Sequence, residues 1–477
     1  MAAIVKSSQP NGLKARLAPM IIPLIVGCAL FMQMLDSTVI ATALPAMARS
    51  FGQDPVKLNV AITSYLLSTA VFVPICGWAA DRYGARRVFA SAIFLFTLSS
   101  ALCGISVTLG QLVAGRFLQG FAGAMMVPVG RIVLLRSTQK SELVRAMSFL
   151  SMPALMAPIF GPALGGLIVT YGSWRWIFFM NIPIGVLGVL LVLRYIHDTD
   201  SDPAQPLDVI GFLLSGLCMA ALVFGFEVAG RDVVSAPVQV ALLAGGLACG
   251  VLYVWHARRA ASPILDLSLF KVRTFSIAVL GGNLNRMIIG SVPFLLAMQL
   301  QVVFGLSPVA AGMLTFVGAL GALMMKFSAG RTIQALGFRR TLIYNAMMTA
   351  LSILACVVFT PSTPHIVILT VLLLGGFFRS LQMTAVNTLV YADVGPGQMG
   401  QATAVASTAQ QLAISVGVAV AAFTMKMSML VDGATVLASR HVVPAYVVIA
   451  LLALSSVLCF MRLSPTDGAE VSGNKRH

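Results

Sequence analysis

Apolar runs of about 20 residues follow one another along almost the whole chain, with short polar stretches between them. A helix of about that length crosses the ~30 Å hydrocarbon core of a bilayer. Fourteen such runs are present, centred near Ala29, Leu67, Phe96, Ala124, Phe160, Leu187, Leu217, Gly246, Ile288, Val317, Ser352, Leu374, Ile414 and Leu452. The pattern predicts an all-α integral membrane protein with 14 transmembrane helices.

Hydrophobic residues make up 58% of the chain and charged residues only 10%, whereas a soluble domain carries roughly 25% charged residues. A soluble globular fold is thereby excluded. The sequence contains no cluster of metal ligands, no nucleophile with a matching base and no glycine-rich phosphate loop. The polar connections are too short to hold an ATPase domain. We therefore expect neither an enzyme nor a bound cofactor, and an ion gradient, most simply of protons, as the energy source.

The first apolar run, at residues 17–35, has two interpretations. It follows Lys6, Lys14 and Arg16 and precedes a small-residue segment at 41–43, as in a cleaved signal peptide. The run is longer than the usual apolar region of a signal peptide, and many further spans follow it. These two features favour an uncleaved first transmembrane helix.

Positive charges lie mainly on one side of the predicted spans. Of the 31 Lys and Arg residues, 22 fall in the amino end, the even-numbered connections and the tail, 6 in the odd-numbered connections and 3 inside spans. The positive-inside rule then places both termini in the cytoplasm. The net charge of +16 is thus a topology signal that faces anionic lipid head groups, and it requires no nucleic acid as a partner.

A short charged segment occurs twice, at residues 77–87 and 330–340, and both copies fit the pattern G-x-x-x-(D/Q)-x-x-G-x-R-R. Such a repeat indicates two halves with one fold, the usual construction of secondary transporters. One interpretation is a tight turn with positively charged anchors. The other is a conformational latch, in which Asp81 engages a helix terminus or an arginine of the other half in one state only. The candidate latch residues are Gly77, Asp81, Arg82, Gly84, Arg86 and Arg87; the second copy has Gln334 in place of the acid.

The offset of 253 residues between the two copies equals six helices plus an inserted pair, which gives a 6 + 2 + 6 organisation. The predicted parts are a cytoplasmic N-terminal segment at 1–16, a six-helix bundle at 17–196, a linker at 197–208, the inserted helix pair at 209–256, a second linker at 257–274, a second six-helix bundle at 275–463 and a cytoplasmic tail at 464–477. The inserted pair has little embedded polarity, so we expect it on the outside, away from a transport path.

Asp36 is the one acid that lies well inside a predicted span, about 19 residues from its start. A carboxylate there is costly to keep charged, so it must be protonated, paired or in contact with cavity water. Arg116, an embedded cation of the same half, is its expected partner and would favour proton release. The alternative is a purely structural ion pair between the first and fourth helices. We favour proton coupling, because a buried ion pair contributes little net stability.

Polar residues in the second half form a candidate substrate site. Arg286 and Arg379 fall inside the ninth and twelfth spans, and the further candidates are Asn283, Gln382, Asn387 and Gln410. The alternative is that both arginines lie nearer the membrane interfaces and extend toward them. Three embedded arginines against one aspartate give a cavity that disfavours cations. We therefore expect neutral, zwitterionic or anionic amphiphiles as substrates.

Further motifs match one family in order and spacing. They are LDSTV at 35–39 followed by ALP at 43–45, RFLQG at 116–120, GPALGG at 161–166, WRWIFF at 174–179 with Asn181, Pro183 and Gly185, and GLSP at 305–308 with Ala311 and Gly312. Together with the repeated segment, they resemble the fourteen-span drug:proton antiporters of the major facilitator superfamily over nearly the whole chain. The resemblance implies the major facilitator fold, proton-coupled antiport, and a packing role for the antiporter-motif residues Gly161, Pro162, Gly165 and Gly166.

The sequence therefore predicts a proton-coupled antiporter of the inner membrane that exports small organic molecules, including drugs, by rocking two six-helix halves around a central cavity. A transporter of the same fold dedicated to one metabolite, such as an organic anion or an amino acid, is an alternative. A non-transporting membrane sensor is a more distant one, and a channel is disfavoured because antiporter motifs serve alternating access. We expect a monomer whose partners are protons, its substrate and membrane lipids; a periplasmic adaptor is left open.

Overall fold

The computed structural model describes residues 12–197, 206–228, 234–434 and 436–473, and all regular secondary structure in these ranges is helical. Five predicted parts are only partly covered. Outside the described residues lie 1–11 of the N-terminal segment, 198–205 of the first linker, 229–233 of the inserted pair, 435 of the second six-helix bundle and 474–477 of the tail.

The first half contains eight helices within residues 12–197. They are α1 (Gly12–Phe51), α2 (Pro55–Phe72), α3 (Cys76–Tyr83), α4 (Ala85–Ile105), α5 (Leu109–Ser137), α6 (Leu143–Tyr171), α7 (Trp176–Phe179) and α8 (Asn181–Tyr195). The 3-10 turn Val73–Ile75 joins α2 to α3, and α7 leads into α8 through Met180. These helices therefore form six rods, two of which are locally interrupted.

The described residues from 206 to 473 contain eight more helices. They are α9 (Val209–Glu227), α10 (Ala236–Ala257), α11 (Arg273–Ala297), α12 (Pro308–Ala355), α13 (His365–Leu389), α14 (Met399–Val431), α15 (Ser439–Phe460) and the short α16 (Ala469–Ser472). α11 continues through a π-helical turn, Met298–Val303. α9 and α10 span the residues of the predicted inserted pair, 209–256, and we call the helices from α11 onward the second half.

Both copies of the repeated segment place a glycine at a left-handed turn. Gly84 has φ 85° and separates α3 from α4, and Gly337 has φ 73° and divides α12 into two helical segments. Positive φ values favour glycine because it has no Cβ atom. The conserved spacing of the two copies therefore reflects one turn geometry, and we call the end of the molecule where both turns lie the Gly84 end.

Twelve helical stretches in the described residues are long and apolar enough to cross a membrane. One of them, Ala310–Val358, is 49 residues long and contains the Gly337 turn, so it includes both the tenth and the eleventh predicted spans. The fifth predicted span lies in α6, a further helix of 29 residues. The chain is therefore a multi-pass membrane protein.

The apolar cores differ between the two ends of the molecule. At the Gly84 end, one core contains side chains of both halves, among them Leu134 of α5 and Ile333 of α12. At the opposite end each half has a core of its own, around Ile40 in the first half and around Tyr446 in the second. The two halves are thus packed together at the Gly84 end and separately packed at the other.

The inserted pair lies on the surface of the helical bundle. α9 and α10 pack against each other, and α9 also contacts α2 of the first half and α14 of the second. Met219 and Val223 of α9 pack with Ala70 and Leu412 in this contact. Most side chains of α10 are exposed on the protein surface, as expected of a helix that faces lipid.

Candidate functional site

Asp36 lies in the middle of α1 and is only 2% exposed. Its carboxylate accepts three hydrogen bonds from side chains of the first half. Arg116 Nη1 lies 2.5 Å from Oδ2, and the amide groups of Gln119 and Asn181 donate to Oδ1 at 3.0 and 3.1 Å. This set of donors fits an ionised carboxylate, which accepts hydrogen bonds and donates none. A charge buried this deeply needs such partners.

The guanidinium of Arg116 connects the acid to further helices. Its Nη1 also donates to Gln119 Oε1 at 2.7 Å, and its Cζ lies 4.4 Å from the centroid of the Tyr65 ring. Tyr65 accepts a hydrogen bond from Gln33 at 2.9 Å. The network joins α1, α2, α5 and, through Asn181, α8. A change of charge at Asp36 therefore alters the contacts of four helices.

The sequence pattern singles out Asp36 and Arg116 but not the two amides that complete the site. A signal is present for each of them. Gln119 follows Arg116 by three residues, so it shares the same face of α5. Asn181 begins α8, where it also donates to Ser100 Oγ at 3.0 Å. Both amides stand inside the motifs that carry the family resemblance.

The antiporter-motif glycines bring α6 against the helix that carries Asp36. A Cβ atom at Gly161 or Gly165 would overlap the hydroxyl oxygen of Thr38 or Thr42 of α1. Gly166, by contrast, faces open space. The side chain of Pro162 lies outside the described part of α6. Two of the four motif residues thus set the close approach of α6 to α1.

Asp81 lies where the two halves meet at the Gly84 end, and 7% of the residue is exposed. Arg136 of α5, in the same half, pairs with it at 2.5 Å. The carboxylate also lies over the first turn of α14 in the other half, so that a Cβ atom on Gly400 would be 2.6 Å from Asp81 Oδ1. A helix N-terminus is a favourable place for a carboxylate because its N–H groups and dipole attract negative charge.

The other candidate latch residues surround this contact. A Cβ atom on Gly77 would lie 2.5 Å from the carbonyl oxygen of Gly400, so α3 and α14 approach as closely as two glycines allow. Arg86 Nη2 donates to the carbonyl oxygen of Leu193 at 2.6 Å, within the first half. Arg82 is half-buried and Arg87 is exposed. Gly77 and Asp81 therefore contact the second half, while Arg86 contacts the first.

Arg286 is buried in α11, with 3% of its surface exposed. Its Nη1 donates to Asn283 Oδ1 at 3.2 Å, and its Nη2 donates to Asn387 Oδ1 of α13. Both acceptors are neutral amides. Three of the predicted candidates of the second half are thus in direct contact.

Arg286 and Arg379 line the same cavity between α11 and α13, together with Gln382. Apolar side chains of this cavity include Ile289 and Met383. Gln382 Oε1 accepts a hydrogen bond from Asn345 at 2.8 Å, whereas its buried Nε2 has no hydrogen-bond partner within the described residues. Gln410, the remaining candidate, is half-buried on α14 and does not line this cavity.

Two further cations are buried in helices, where the sequence pattern assigns them to connections. Arg131 is 6% exposed in α5, and Lys326 is 5% exposed in the first segment of α12. Lys326 Nζ donates to Thr384 Oγ1 at 2.6 Å. The count of three embedded cations was therefore too low, because α5 and α12 continue beyond the ends of their apolar runs.

The family model of the Major Facilitator Superfamily matches residues 26–418 and 278–476. The chain belongs to the major facilitator superfamily. A member named for multidrug resistance, MdtD of Cronobacter sakazakii, is 38% identical over 397 residues, which are 83% of this chain and 84% of that protein. MdtD of Salmonella typhimurium is 37% identical over 407 residues, which are 84% and 86% of the two chains.

Solved structures of the superfamily have the same fold. The human organic anion transporter MFSD10 superposes with a TM-score of 0.66 and 16% identity, and the match covers 95% of this chain and all of that one, 100%. The proton:xylose symporter XylE superposes with a TM-score of 0.66 and 15% identity, over 96% and 99% of the chains. At such identities the likeness establishes the major facilitator fold alone.

Proposed function

We propose that this protein is a proton-coupled antiporter of the inner membrane that exports small organic molecules, drugs among them. The observation that carries the proposal is the buried network around Asp36, in which one acid is held by one cation and two amides. The multidrug-resistance name of the MdtD relatives supports the substrate range. The chain works without a cofactor, as a monomer, with the proton gradient as its energy source.

Protonation of Asp36 is the step that couples the gradient to movement. A proton on the carboxylate removes the countercharge of Arg116, and a buried charge that loses its partner costs about 3–5 kcal/mol. Hydrogen bonds from Gln119 and Asn181 to Oδ1 also weaken, because a neutral acid is a poorer acceptor than a carboxylate. The protonated form therefore favours a different arrangement of α1, α2, α5 and α8. Release of the proton restores the ion pair.

The difference in packing between the two ends supports alternating access, in which one end is closed while the other is open. The halves share one core at the Gly84 end and have separate cores at the opposite end. Asp81 and Gly77 add contacts to α14 at the closed end. In the other state these contacts break and the opposite end closes, so that a central cavity becomes accessible from the Gly84 end.

We further propose fourteen spans with both termini in the cytoplasm. Dividing Ala310–Val358 at Gly337 and including α6 raises the twelve apolar stretches to fourteen. The parts are then six-helix bundles at 17–196 and 275–463 and the inserted pair at 209–256, joined by linkers at 197–208 and 257–274 and flanked by the cytoplasmic segments 1–16 and 464–477. The Gly84 end faces the cytoplasm, because the excess of Lys and Arg on that side persists without Arg131 and Lys326.

The test replaces Asp36 by Asn, which keeps the shape of the side chain and removes its titration. Purified protein in liposomes with a pH gradient is assayed for uphill export of a labelled drug panel. We expect Asp36→Asn to abolish uphill export while the protein remains folded. The matched control is Asp393→Asn, the same change at an exposed acid, which should leave export intact. Wild-type uphill export by the Asp36 variant would refute the proposal, and export of a single compound class would favour a dedicated metabolite transporter.

A further inference from the structure

Helices α11 to α15 of the second half contain buried cations and no acid. No Asp or Glu residue lies inside any of these five helices, yet Arg286 and Lys326 are buried there and Arg379 is half-buried. Buried charges in proteins are normally paired with an opposite charge. In the first half Arg116 follows this rule through Asp36. Arg286, Lys326 and Arg379 form no such pair within the described residues.

The two cavity arginines are held by neutral groups only. Arg286 donates to the carbonyl oxygens of two asparagines. Arg379 lines the cavity between α11 and α13, with its Nη2 close to Gly318 of α12, and it makes no hydrogen bond or ion pair within the described residues. Together with the unpartnered Nε2 of Gln382, they present an array of hydrogen-bond donors with an excess of positive charge.

We propose that this cavity binds the anionic head group of an amphiphilic organic acid, with Arg286 and Arg379 as its charged ligands and Gln382 as a neutral donor. The inference rests on the proposed transport function and names its substrate class. A planar guanidinium group can donate two parallel hydrogen bonds to two oxygens of one carboxylate or sulfonate. Ile289 and Met383, which line the same cavity, suit the apolar body of such a molecule.

Cationic drugs fit this site poorly. A cation in the cavity would meet like charges on α11 and α13 and no carboxylate inside helices α11 to α15. The deeply buried carboxylate of Asp36 belongs to the first half, and Arg116 already pairs with it. The site therefore selects by charge, and an anion supplies the countercharge that helices α11 to α15 lack.

The experiment measures the affinity of the full chain for carboxyfluorescein, an anionic aromatic probe, and for ethidium, a cationic one. Phosphatidylcholine nanodiscs are used, so that no anionic lipid head group competes. We expect Arg286→Gln and Arg379→Gln each to weaken carboxyfluorescein binding by roughly 10- to 150-fold, the effect of one charge-assisted contact. Arg379→Lys keeps the charge but loses the planar guanidinium group. Its affinity for carboxyfluorescein should lie between those of the wild type and Arg379→Gln.

The matched control is Arg331→Gln, which removes an exposed arginine of the same half and should leave both affinities unchanged. Each variant is first checked by thermal unfolding. If Arg286→Gln does not fold, the two Arg379 variants carry the test, because Arg379 has no protein contact of this kind to lose. Unchanged carboxyfluorescein affinity in folded Arg379→Gln would overturn the proposal.

Two outcomes separate this inference from the proposed function. Uphill, Asp36-dependent export of ethidium by a protein that does not bind carboxyfluorescein would refute the anion site and leave the antiporter intact. Arginine-dependent carboxyfluorescein binding by a protein whose Asp36→Asn variant still transports uphill would uphold the site and refute the coupling residue. Efficient binding of both probes, independent of either arginine, would also refute the anion site.

Discussion

Replacing Gly77 by Ala tests whether the close approach of α3 to α14 holds the Gly84 end shut. The new methyl carbon would lie 2.5 Å from the carbonyl oxygen of Gly400 and 3.1 Å from Cβ of Ala404. Because the nearest obstacle is backbone, the two helices must separate. Overpacking of this kind typically costs about 1–3 kcal/mol. Since 1.4 kcal/mol is a factor of ten, we expect the closed state to lose roughly 5- to 150-fold in population relative to the open one.

The matched control comes from the second copy of the repeated segment. Gly330 occupies the position equivalent to Gly77, but a Cβ atom there meets nothing within 4 Å. Gly330→Ala therefore makes the same chemical change without the overlap. The two variants should differ clearly in the population of the closed state if the contact with Gly400, and not the glycine itself, stabilises the closed end.

Distances between the halves are measured with spin labels at positions 140 and 470 in a cysteine-free background. Lys140 and Glu470 face each other across the halves, with Nζ and Oε2 3.1 Å apart. Labelling removes the ion pair between these two residues in every variant alike, and an exposed ion pair contributes only about 0–1 kcal/mol to stability. Gly77→Ala should shift the distance distribution to longer values, and Gly330→Ala should not. Equal shifts from both, or an unshifted distribution for folded Gly77→Ala, would refute the reasoning.

Two further predictions concern Asp81 and Lys326. Asp81→Ala should slow transport at saturating substrate more than it raises KM, because Asp81 lies at the Gly84 end and not in the cavity. Gln334→Ala, the equivalent change at an exposed position of the second copy, should leave transport nearly unchanged. A change in KM alone for Asp81→Ala would contradict the latch. Thr384→Val should lower the free energy of unfolding by about 1–3 kcal/mol, because Lys326 Nζ loses its acceptor. The same change should cost much less in a Lys326→Met background, and equal costs would show that the hydrogen bond contributes nothing.

Single charged residues inside apolar runs were the most informative feature of the sequence. Asp36 and Arg116 could be paired from sequence because each stands out against an apolar background and a bilayer interior forces charges to find partners. The amides of Gln119 and Asn181 could not, because uncharged polar residues occur in many of the runs. Only the packing of α1, α5 and α8 shows which amides reach the carboxylate.

Helix ends and contacts between the halves were the least predictable features. Arg131 and Lys326 were placed in connections because hydropathy falls at a charged residue, while the helix itself continues to the next turn. The contact of Asp81 with the first turn of α14 joins residues more than 300 positions apart. The repeated segment predicted a role for Asp81, but its partner Arg136 belongs to no motif and emerges only from the fold.

The interiors of the two halves differ in charge: the first has a carboxyl group beside its arginine, and helices α11 to α15 of the second have buried cations without acids. Consider a cycle in which one proton enters through Asp36 and one monovalent organic anion leaves. Entry of the proton and exit of the anion each transfer one positive charge inward. Each elementary charge crossing the membrane contributes roughly 2.3 kcal/mol per 100 mV of membrane potential, and the two contributions add. Voltage alone would then drive export, even between compartments of equal pH. Expulsion of a monovalent cation for one proton, by contrast, would gain nothing from the voltage.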